Sequence, residues 1–322
     1  MSATFNLIPE RGAEAWTIVR DAVMMRYGPL FPNRYDMNTT PTVRDLVYDV
    51  GIHKGEDTSY YLAKGYRVVA FEADPALAEL CRSRFRAEHA SGQFDLIEGA
   101  IDDGGSETVR FYRHPTISVF GTTDAEWMRR NSRLGESTAI EVPSIDFAAC
   151  IRSTGMPHFM KVDIEGADRL CFEALRRFVA RPQFVSMESS KVSMADLIEE
   201  FELLESLGYD RFAVVQQATL NGRVLETSRL TGDPLRYRLD ADSSGPFGED
   251  VGPWLARPEA IAAYRRVFRR YRVFGDASPI RRTRVGRRLL GELSKVLGVP
   301  LPGWFDTHAQ VAADYSCDGD SP

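Results

Sequence analysis

The chain has 322 residues, the mixed apolar and charged composition of a globular protein, and a net charge of −6. That acidic balance argues against a nucleic-acid-binding protein, which would present a basic surface. No apolar run approaches the roughly 18 residues of a membrane-spanning helix and no secretory signal is recognisable, so we expect a soluble, cytoplasmic protein without stable membrane insertion.

Residues 1–40 are predicted to form an N-terminal helical extension. Within it, residues 14–27 place Trp16, Val19 and Val23 on one face of an amphipathic helix. We expect this face to pack against the core or against a second copy of the chain, which would make a homodimer. The alternative is a lid over the functional site.

Residues 46–75 follow the order strand, glycine turn, helix, strand, acid. An apolar run stops at Asp49, Gly51 and Gly55 follow, and a second apolar run ends at Glu72, 23 residues after Asp49. Open parallel sheets build nucleoside sites in this order at the carboxyl ends of their strands. The glycines permit close backbone approach, the helix offers free N–H groups, and the acid suits a ribose diol.

The turn in this segment favours a methyl donor over a dinucleotide. A nicotinamide site requires three spaced glycines, but His53 replaces the second and the third is missing. Glu56 and Asp57 would repel a pyrophosphate at the start of the helix. Asp49 favours a cationic ligand, and S-adenosylmethionine carries an ammonium and a sulfonium but no phosphate.

The third predicted strand covers residues 94–101 and should flank the adenine of such a ligand. Backbone groups of Gly99, Ala100 and Ile101 are expected at the adenine edge, with the Ile101 side chain against its face. A turn then leads into an added strand at residues 108–112.

Two later strands also end in acids. Residues 158–163 and Phe184–Glu188 are predicted as the fourth and fifth strands, and the fourth borders the same crevice as the first. Asp163 and Glu165 should therefore lie near the transferred methyl, although Glu165 could instead cap the next helix. No His and Asp spacing demands a metal, and a loosely held divalent ion at acids such as Asp163 and Glu188 stays open.

The sheet is predicted to continue with a sixth strand at residues 212–216 and an edge strand at 235–239. Residues 114–142 show no clear periodicity, and Ser118 within them is expected to shape an acceptor pocket.

The composition changes after residue 241. Residues 265–288 contain ten arginines and one acid, which predicts an amphipathic helix with a solvated basic face. The alternatives are a surface for an anionic acceptor or an acyl carrier and, more weakly, a membrane-surface contact. Residues 302–308 are expected to fold back over the acceptor pocket and to bring Trp304 and His308 to it.

Four motifs in order carry a family resemblance. They are DVGIHKG at 49–55, FEADP at 71–75, EGAID at 98–102 and MKVDIEG at 160–166. Together they resemble the FkbM family of S-adenosylmethionine-dependent methyltransferases over about residues 45–220. The family usually has Asn where this chain has His53.

The resemblance implies an α/β, class I (Rossmann-like) methyltransferase fold. Its mostly parallel seven-stranded sheet would carry helices on both faces. The methyltransferase core is placed at 41–241, and a C-terminal extension at 242–322 would supply the Arg-rich helix and an acceptor-side cap.

Combining residues and resemblance, we expect an S-adenosylmethionine-dependent O-methyltransferase acting on a hydroxyl of a sugar or natural product. Asp163 is the predicted base, with His53 and Glu165 as further catalytic candidates. The predicted cofactor-binding residues are Asp49, Gly51, His53, Gly55, Thr58, Glu72, Ala73, Gly99, Ala100, Ile101 and Asp163. The predicted acceptor-binding residues are Glu188, Ser118, Trp304 and His308. The alternatives are a nicotinamide-dependent Rossmann oxidoreductase and a non-catalytic cofactor-binding scaffold whose Arg-rich helix recruits a partner.

Overall fold

The computed structural model describes residues 36–102, 105–114, 118, 121–131, 135–190, 193–275, 278, 280, 283–297, 301 and 303–311. The predicted helix at 14–27 and most of the predicted extension at 1–40 lie outside these residues.

Strands and helices alternate along most of the described chain. The strands are β1 (Thr42–Val50), β2 (Arg67–Glu72), β3 (Phe94–Glu98), β4 (Ala100–Asp102), β5 (Thr108–Arg113), β6 (Thr138–Asp146), β7 (Met156–Val162), β8 (Phe184–Glu188), β9 (Tyr209–Gln216), β10 (Val224–Ser228), β11 (Pro234–Arg238) and β12 (Phe305–Val311). The helices are α1 (Glu56–Lys64), α2 (Pro75–Arg84), α3 (Arg86–Ser91), α4 (Ala125–Asn131), α5 (Phe147–Thr154), α6 (Asp168–Leu175), α7 (Met194–Ser206), α8 (Arg257–Phe274) and α9 (Arg284–Leu297).

A seven-stranded sheet with the order β3-β2-β1-β7-β8-β12-β9 forms the centre of the fold. The first five strands in this order, β3, β2, β1, β7 and β8, pair in parallel with their neighbours. Strand β12 is antiparallel to both β8 and β9. Helices α5, α6, α7 and α8 contribute to a buried cluster on one face of the sheet, and α1 and α2 contribute to a second cluster on the other face. The predicted mostly parallel sheet with helices on both faces is confirmed.

The identity of one strand differs from the prediction. Residues 235–239 do not form an edge of the central sheet, because β11 pairs with β10 in a separate two-stranded sheet. The seventh strand is β12, which lies between β8 and β9. A segment from beyond the predicted division at residue 241 therefore completes the core sheet. Polar residues at alternate positions of β12, including Asp306 and His308, concealed a buried strand.

A second small sheet flanks the central one. The predicted strand at 108–112 is confirmed as β5, which pairs with β6, and β6 also pairs with β4. The sequence did not reveal β6, because its mixed polar residues and Pro143 obscure the alternation of a half-exposed strand. This sheet places β4, which continues from β3, beside the carboxyl end of β2.

Helix α8 confirms that the first part of the arginine-rich segment is an amphipathic helix. Its Tyr264 and Val267 are buried in the core on one face of the central sheet, while Arg265 and Arg266 are exposed. No helix in the described part of the chain combines the length and the hydropathy needed to span a membrane.

Replacing Gly51 by Ala tests how tightly the first turn fits against β7. Gly51 has a φ of +87°, and a Cβ there would lie 2.0 Å from the backbone oxygen of Asp163. Gly92→Ala is the matched control, because Gly92 has a φ of +80° and a Cβ there meets nothing within 4 Å. We expect Gly92→Ala to cost about 1–2 kcal/mol of unfolding free energy, the usual penalty for a left-handed residue, and Gly51→Ala clearly more. Denaturant unfolding measures both, and equal losses would contradict this packing.

Candidate functional site

An open cleft lies at the carboxyl ends of the parallel strands. Its walls include residues 50–53 after β1, 71–73 at the end of β2, 99–101 after β3 and 163–165 after β7. The segments are distant in sequence and meet because the parallel strands all end at the same edge of the sheet. The cleft therefore occupies the place predicted for a nucleoside site.

Glu72 is a buried carboxylate at one end of the cleft. Its Oε2 accepts a hydrogen bond from the backbone N–H of His53 at 3.0 Å, and its Oε1 accepts one from the N–H of Asp74 at 2.8 Å. Burial raises the pKa of Glu72 to about 7. Because an ionised carboxylate can accept about four hydrogen bonds, each oxygen of Glu72 can accept at least one more. Two hydroxyls of a diol would fill that capacity.

The wall beside Glu72 is largely apolar. Ala100 and Ile101 are buried and line the cleft together with Phe71 and Ala73. The backbone N–H of Gly99 donates to the carbonyl of Glu72 at 2.8 Å, so it supports the wall rather than pointing a free donor at a ligand. The wall suits the flat face of an aromatic base.

His53 adopts a left-handed conformation with a φ of 55°. Asn, Asp and His are the side chains that most often occupy this region, which explains how His can stand where the family usually has Asn. Its Nδ1 lies 3.2 Å from Oε1 of Glu56, and its Nε2 lies 2.7 Å from Oγ of Ser118. Both ring nitrogens are thus engaged, so His53 would have to give up a hydrogen bond to act as a base.

Lys161 is a buried ammonium on β7 that the sequence analysis missed. Its Nζ lies 3.1 Å from Asp57, 3.5 Å from Asp163 and 3.9 Å from Asp49. Burial alone lowers the pKa of Lys161, but the three carboxylates outweigh it and raise the pKa well above its usual value. The sequence did contain a signal for this role, because Lys161 stands between Met160 and Val162 in an apolar strand. A charge in such a strand needs charged or polar partners.

Three predicted cofactor residues lie beneath the cleft and do not line it. Asp49 is fully buried, and its Oδ2 accepts a hydrogen bond from the Thr58 hydroxyl at 2.6 Å. Burial raises the pKa of Asp49 to about 7 despite the nearby Lys161. Gly55 provides room for the ring of Phe85, which a Cβ would meet at 2.3 Å. These residues hold α1 against the sheet.

Asp57 joins the C-terminal part of the chain to the site. Its Oδ1 accepts hydrogen bonds from the Ser243 hydroxyl at 2.7 Å and from the Ser244 N–H at 2.8 Å. Asp242, the next residue upstream, lines the cleft with a φ of 67°. The sequence analysis treated Asp57 only as a repulsive charge and did not assign these residues to the site.

Asp163, Glu165 and Glu188 meet at the other end of the cleft, with carboxylate oxygens within 4.8 Å of one another. Asp163 and Glu165 line the cleft, and Glu188 lies beside them. The chain is not extended after Asp163, because Glu165 has a φ of 51° and Gly166 a φ of 101°. A tight turn, rather than strand alternation, brings Glu165 to Asp163.

The predicted acceptor residues are separated. Ser118 lines the cleft, whereas Trp304 is 60% exposed and outside the lining. His308 is buried within β12, its ring parallel to that of Phe159 at 6.4 Å between centroids, and burial lowers its pKa to about 4. The structure thus encloses the ring of His308, a predicted acceptor residue, in the core and not in the lining of the cleft. The predicted contact by Trp304 stays a prediction.

Solved structures that resemble this chain share little sequence with it. A precorrin 8W decarboxylase from Methanobacterium thermoautotrophicum is 12% identical, with 68% of this chain and 83% of that chain covered and a TM-score of 0.32. An O-methyltransferase of tomaymycin synthesis from Streptomyces achromogenes, solved with S-adenosylmethionine, is 13% identical, covers 71% and 88%, and has a TM-score of 0.31. A putative sarcosine dimethylglycine methyltransferase from Galdieria sulphuraria is 8% identical, covers 94% and 90%, and has a TM-score of 0.34. These TM-scores are too low to support an argument about function.

The family model gives a stronger result. No curated protein sequence matches the chain significantly. The model described as the methyltransferase FkbM domain matches residues 49–211, which is just over half of the chain and includes the turn after β1, Glu72 and the acids after β7. The chain belongs to the FkbM family of methyltransferases and has the class I methyltransferase fold.

Proposed function

We propose that this protein transfers a methyl group from S-adenosylmethionine to a hydroxyl of a sugar or natural product. The observation that carries the proposal is a single cleft with the buried carboxylate of Glu72 at one end and the carboxylate of Asp163 at the other. The first is suited to a ribose diol, and the second to the proton of an acceptor hydroxyl. Family membership supports methyl transfer as the reaction.

The residues of the cleft fit S-adenosylmethionine better than a phosphorylated dinucleotide. Glu72 would hold the ribose hydroxyls, and the wall at 99–101 would hold the adenine. Glu56 and Asp57 stand at the start of α1, where a pyrophosphate would otherwise bind, and both line the cleft. The carboxylates of Asp163 and Glu165 supply negative charge for an ammonium or a sulfonium. When bound, the cofactor supplies an activated methyl group.

Asp163 is the residue placed to accept the proton of the acceptor. Its side chain lines the cleft, is 33% exposed, and is held by Lys161 at 3.5 Å. A positioned base of this kind contributes roughly 10²–10⁴-fold to rate, and fixed orientation of the acceptor contributes further. Glu165 is the alternative base because it lies beside Asp163, whereas the hydrogen bonds of both His53 nitrogens favour a positioning role.

The acceptor is proposed to be small and rich in hydroxyls. Carboxylates accept hydrogen bonds and donate none when ionised, so the acidic end of the cleft suits a polyol better than an anionic compound. The net charge of −6 likewise supports a small-molecule or sugar acceptor over a nucleic acid.

Thermal shift with two ligands tests the class of cofactor. S-adenosylhomocysteine should raise the melting temperature in a concentration-dependent way, because a ligand that binds only the folded state stabilises it. NAD should have no effect. A shift with NAD alone would overturn the proposal in favour of an oxidoreductase. A mass-spectrometric screen of sugars and natural products should then show an acceptor that gains the mass of one methylene.

Proton release on cofactor binding tests the role of Glu72. Because the pKa of Glu72 is raised to about 7, most of its carboxyl groups are protonated in the free protein at a pH about one unit below 7. Ribose hydroxyls favour the ionised form, since that form accepts their hydrogen bonds. Binding of S-adenosylhomocysteine should therefore release protons at a pH about one unit below that pKa, and almost none at a pH about one unit above it. Calorimetry in buffers of different ionisation enthalpy measures the release.

The matched variant for this measurement is Glu72→Gln, which keeps the size of the side chain and removes its titration. We expect it to weaken binding and to abolish most of the proton release. Release that is unchanged in Glu72→Gln would assign the titrating group to Asp49 instead.

Replacing Asp163 by Asn tests the base. We expect turnover to fall by roughly 10²–10⁴-fold while S-adenosylhomocysteine still raises the melting temperature, because the amide keeps the shape of the side chain and cannot take the proton. Asp233→Asn, at an exposed acid between β10 and β11 outside the cleft lining, should retain turnover within a few fold. Full turnover in Asp163→Asn would place the base elsewhere, and Glu165→Gln would be the next variant to measure.

A further inference from the structure

Three neighbouring strands of the central sheet place an acid at the same level. The β12–β8 register pairs Asp306 directly with Glu188. The β7–β8 register ends with Val162 opposite Met187, so the next residues along both strands are Asp163 and Glu188. Side chains directly opposite each other on paired strands project to the same face. Asp163, Glu188 and Asp306 therefore form one row across three strands.

The spacing of the acids corresponds to ligands that share an ion. Oxygens of Asp163, Glu165 and Glu188 lie within 4.8 Å of one another. Oxygens bound to one Mg²⁺ or Ca²⁺ at about 2.0–2.6 Å cannot be more than about 5 Å apart. Like charges opposite each other on neighbouring strands repel, and a cation bound between them would offset that repulsion.

Asp306 supplies an independent observation that points to a cation. Its side chain is only 2% exposed, and its Oδ1 has no hydrogen-bond partner among the described residues, whereas Oδ2 accepts one from Gln217. A buried carboxylate oxygen without a partner is costly. Asp306 lies directly opposite Glu188, so its partly unsatisfied carboxyl group belongs to the same electrostatic cluster.

Lys161 offsets only part of the charge of Asp163. Its ammonium is nearest to Asp57 and also serves Asp49, so the contact with Asp163 at 3.5 Å is one of three. Asp163 also opens to the cleft, together with Glu165. A cation held there would be reachable from solvent and from a bound acceptor.

We propose that Asp163, Glu165 and Glu188, with Asp306 behind them, bind one divalent cation that prefers oxygen ligands, such as Mg²⁺, Mn²⁺ or Ca²⁺. Binding of the ion is independent of any substrate. Its use would be to hold the acceptor hydroxyl and lower the pKa of that hydroxyl, with one oxygen of Asp163 left to receive the proton. This use, unlike the binding itself, rests on the proposed function.

Mn²⁺ binding to the full chain, without cofactor or acceptor, tests the site. Electron paramagnetic resonance measures the binding as a loss of the signal of free Mn²⁺. We expect one saturable site, competed by Mg²⁺ or Ca²⁺. Glu188→Gln should weaken the affinity at least about tenfold, as expected for loss of a ligand that binds directly. Glu226→Gln is the control, since Glu226 is an exposed acid on β10, and it should bind like the parent protein.

Asp306→Asn provides the second variant, because it removes a buried charge and keeps an oxygen and the shape of the side chain. It should raise the melting temperature of the metal-free protein and reduce the rise that Mn²⁺ produces. No saturable Mn²⁺ site in the parent protein, or affinity unchanged in both Glu188→Gln and Asp306→Asn, would overturn the proposal. Mn²⁺ binding without any methyl transfer would instead contradict the proposed function and leave the metal site standing.

Discussion

The ammonium of Lys161 is the contact on which the geometry of the site depends. It reaches Asp49 at the end of β1, Asp57 in the first turn of α1 and Asp163 after β7, so it connects the two central strands with the helix between them. Breaking a buried ion pair from one side leaves uncompensated charge, which typically costs about 3–5 kcal/mol. The position of α1 fixes the turn at 50–53, and the backbone of His53 in that turn holds Glu72. Both ends of the cleft therefore depend on one cation.

Local patterns were sufficient to predict the position of the part of the cleft that comes from β1 and β2. A short apolar run, a glycine turn, a polar helix start and an acid 23 residues later lie within one continuous segment, and their meaning does not depend on distant chain. Asp163, which follows β7, and Glu188, the last residue of β8, could be predicted for the same reason, since each ends an apolar run. The role of Lys161 could not, because its partners come from three separate elements and only the folded sheet brings them together.

The C-terminal part of the chain shows where sequence patterns fail. In β12 the residues on one face, such as Phe305 and Ala309, join the main core, while the other face carries Asp306 and His308 in buried positions. That alternation is typical of a strand with one solvated face, so nothing local indicates a place between two other strands. The arginine-rich helix was easier, because α8 keeps an apolar stripe of helical period against a basic face.

The hydrogen bonds of Ser243 and Ser244 to Asp57 have a consequence for how the protein could diversify. The loop that carries these two residues adjoins a residue of the cleft, Asp242, and it also neutralises part of the charge of an acid bound to Lys161. Exchanging this loop between relatives to alter acceptor preference would disturb the electrostatic foundation of the site unless both donors were retained. The loop and the buried acid are in this way joined through three polar atoms, Oδ1 of Asp57, Oγ of Ser243 and the backbone nitrogen of Ser244.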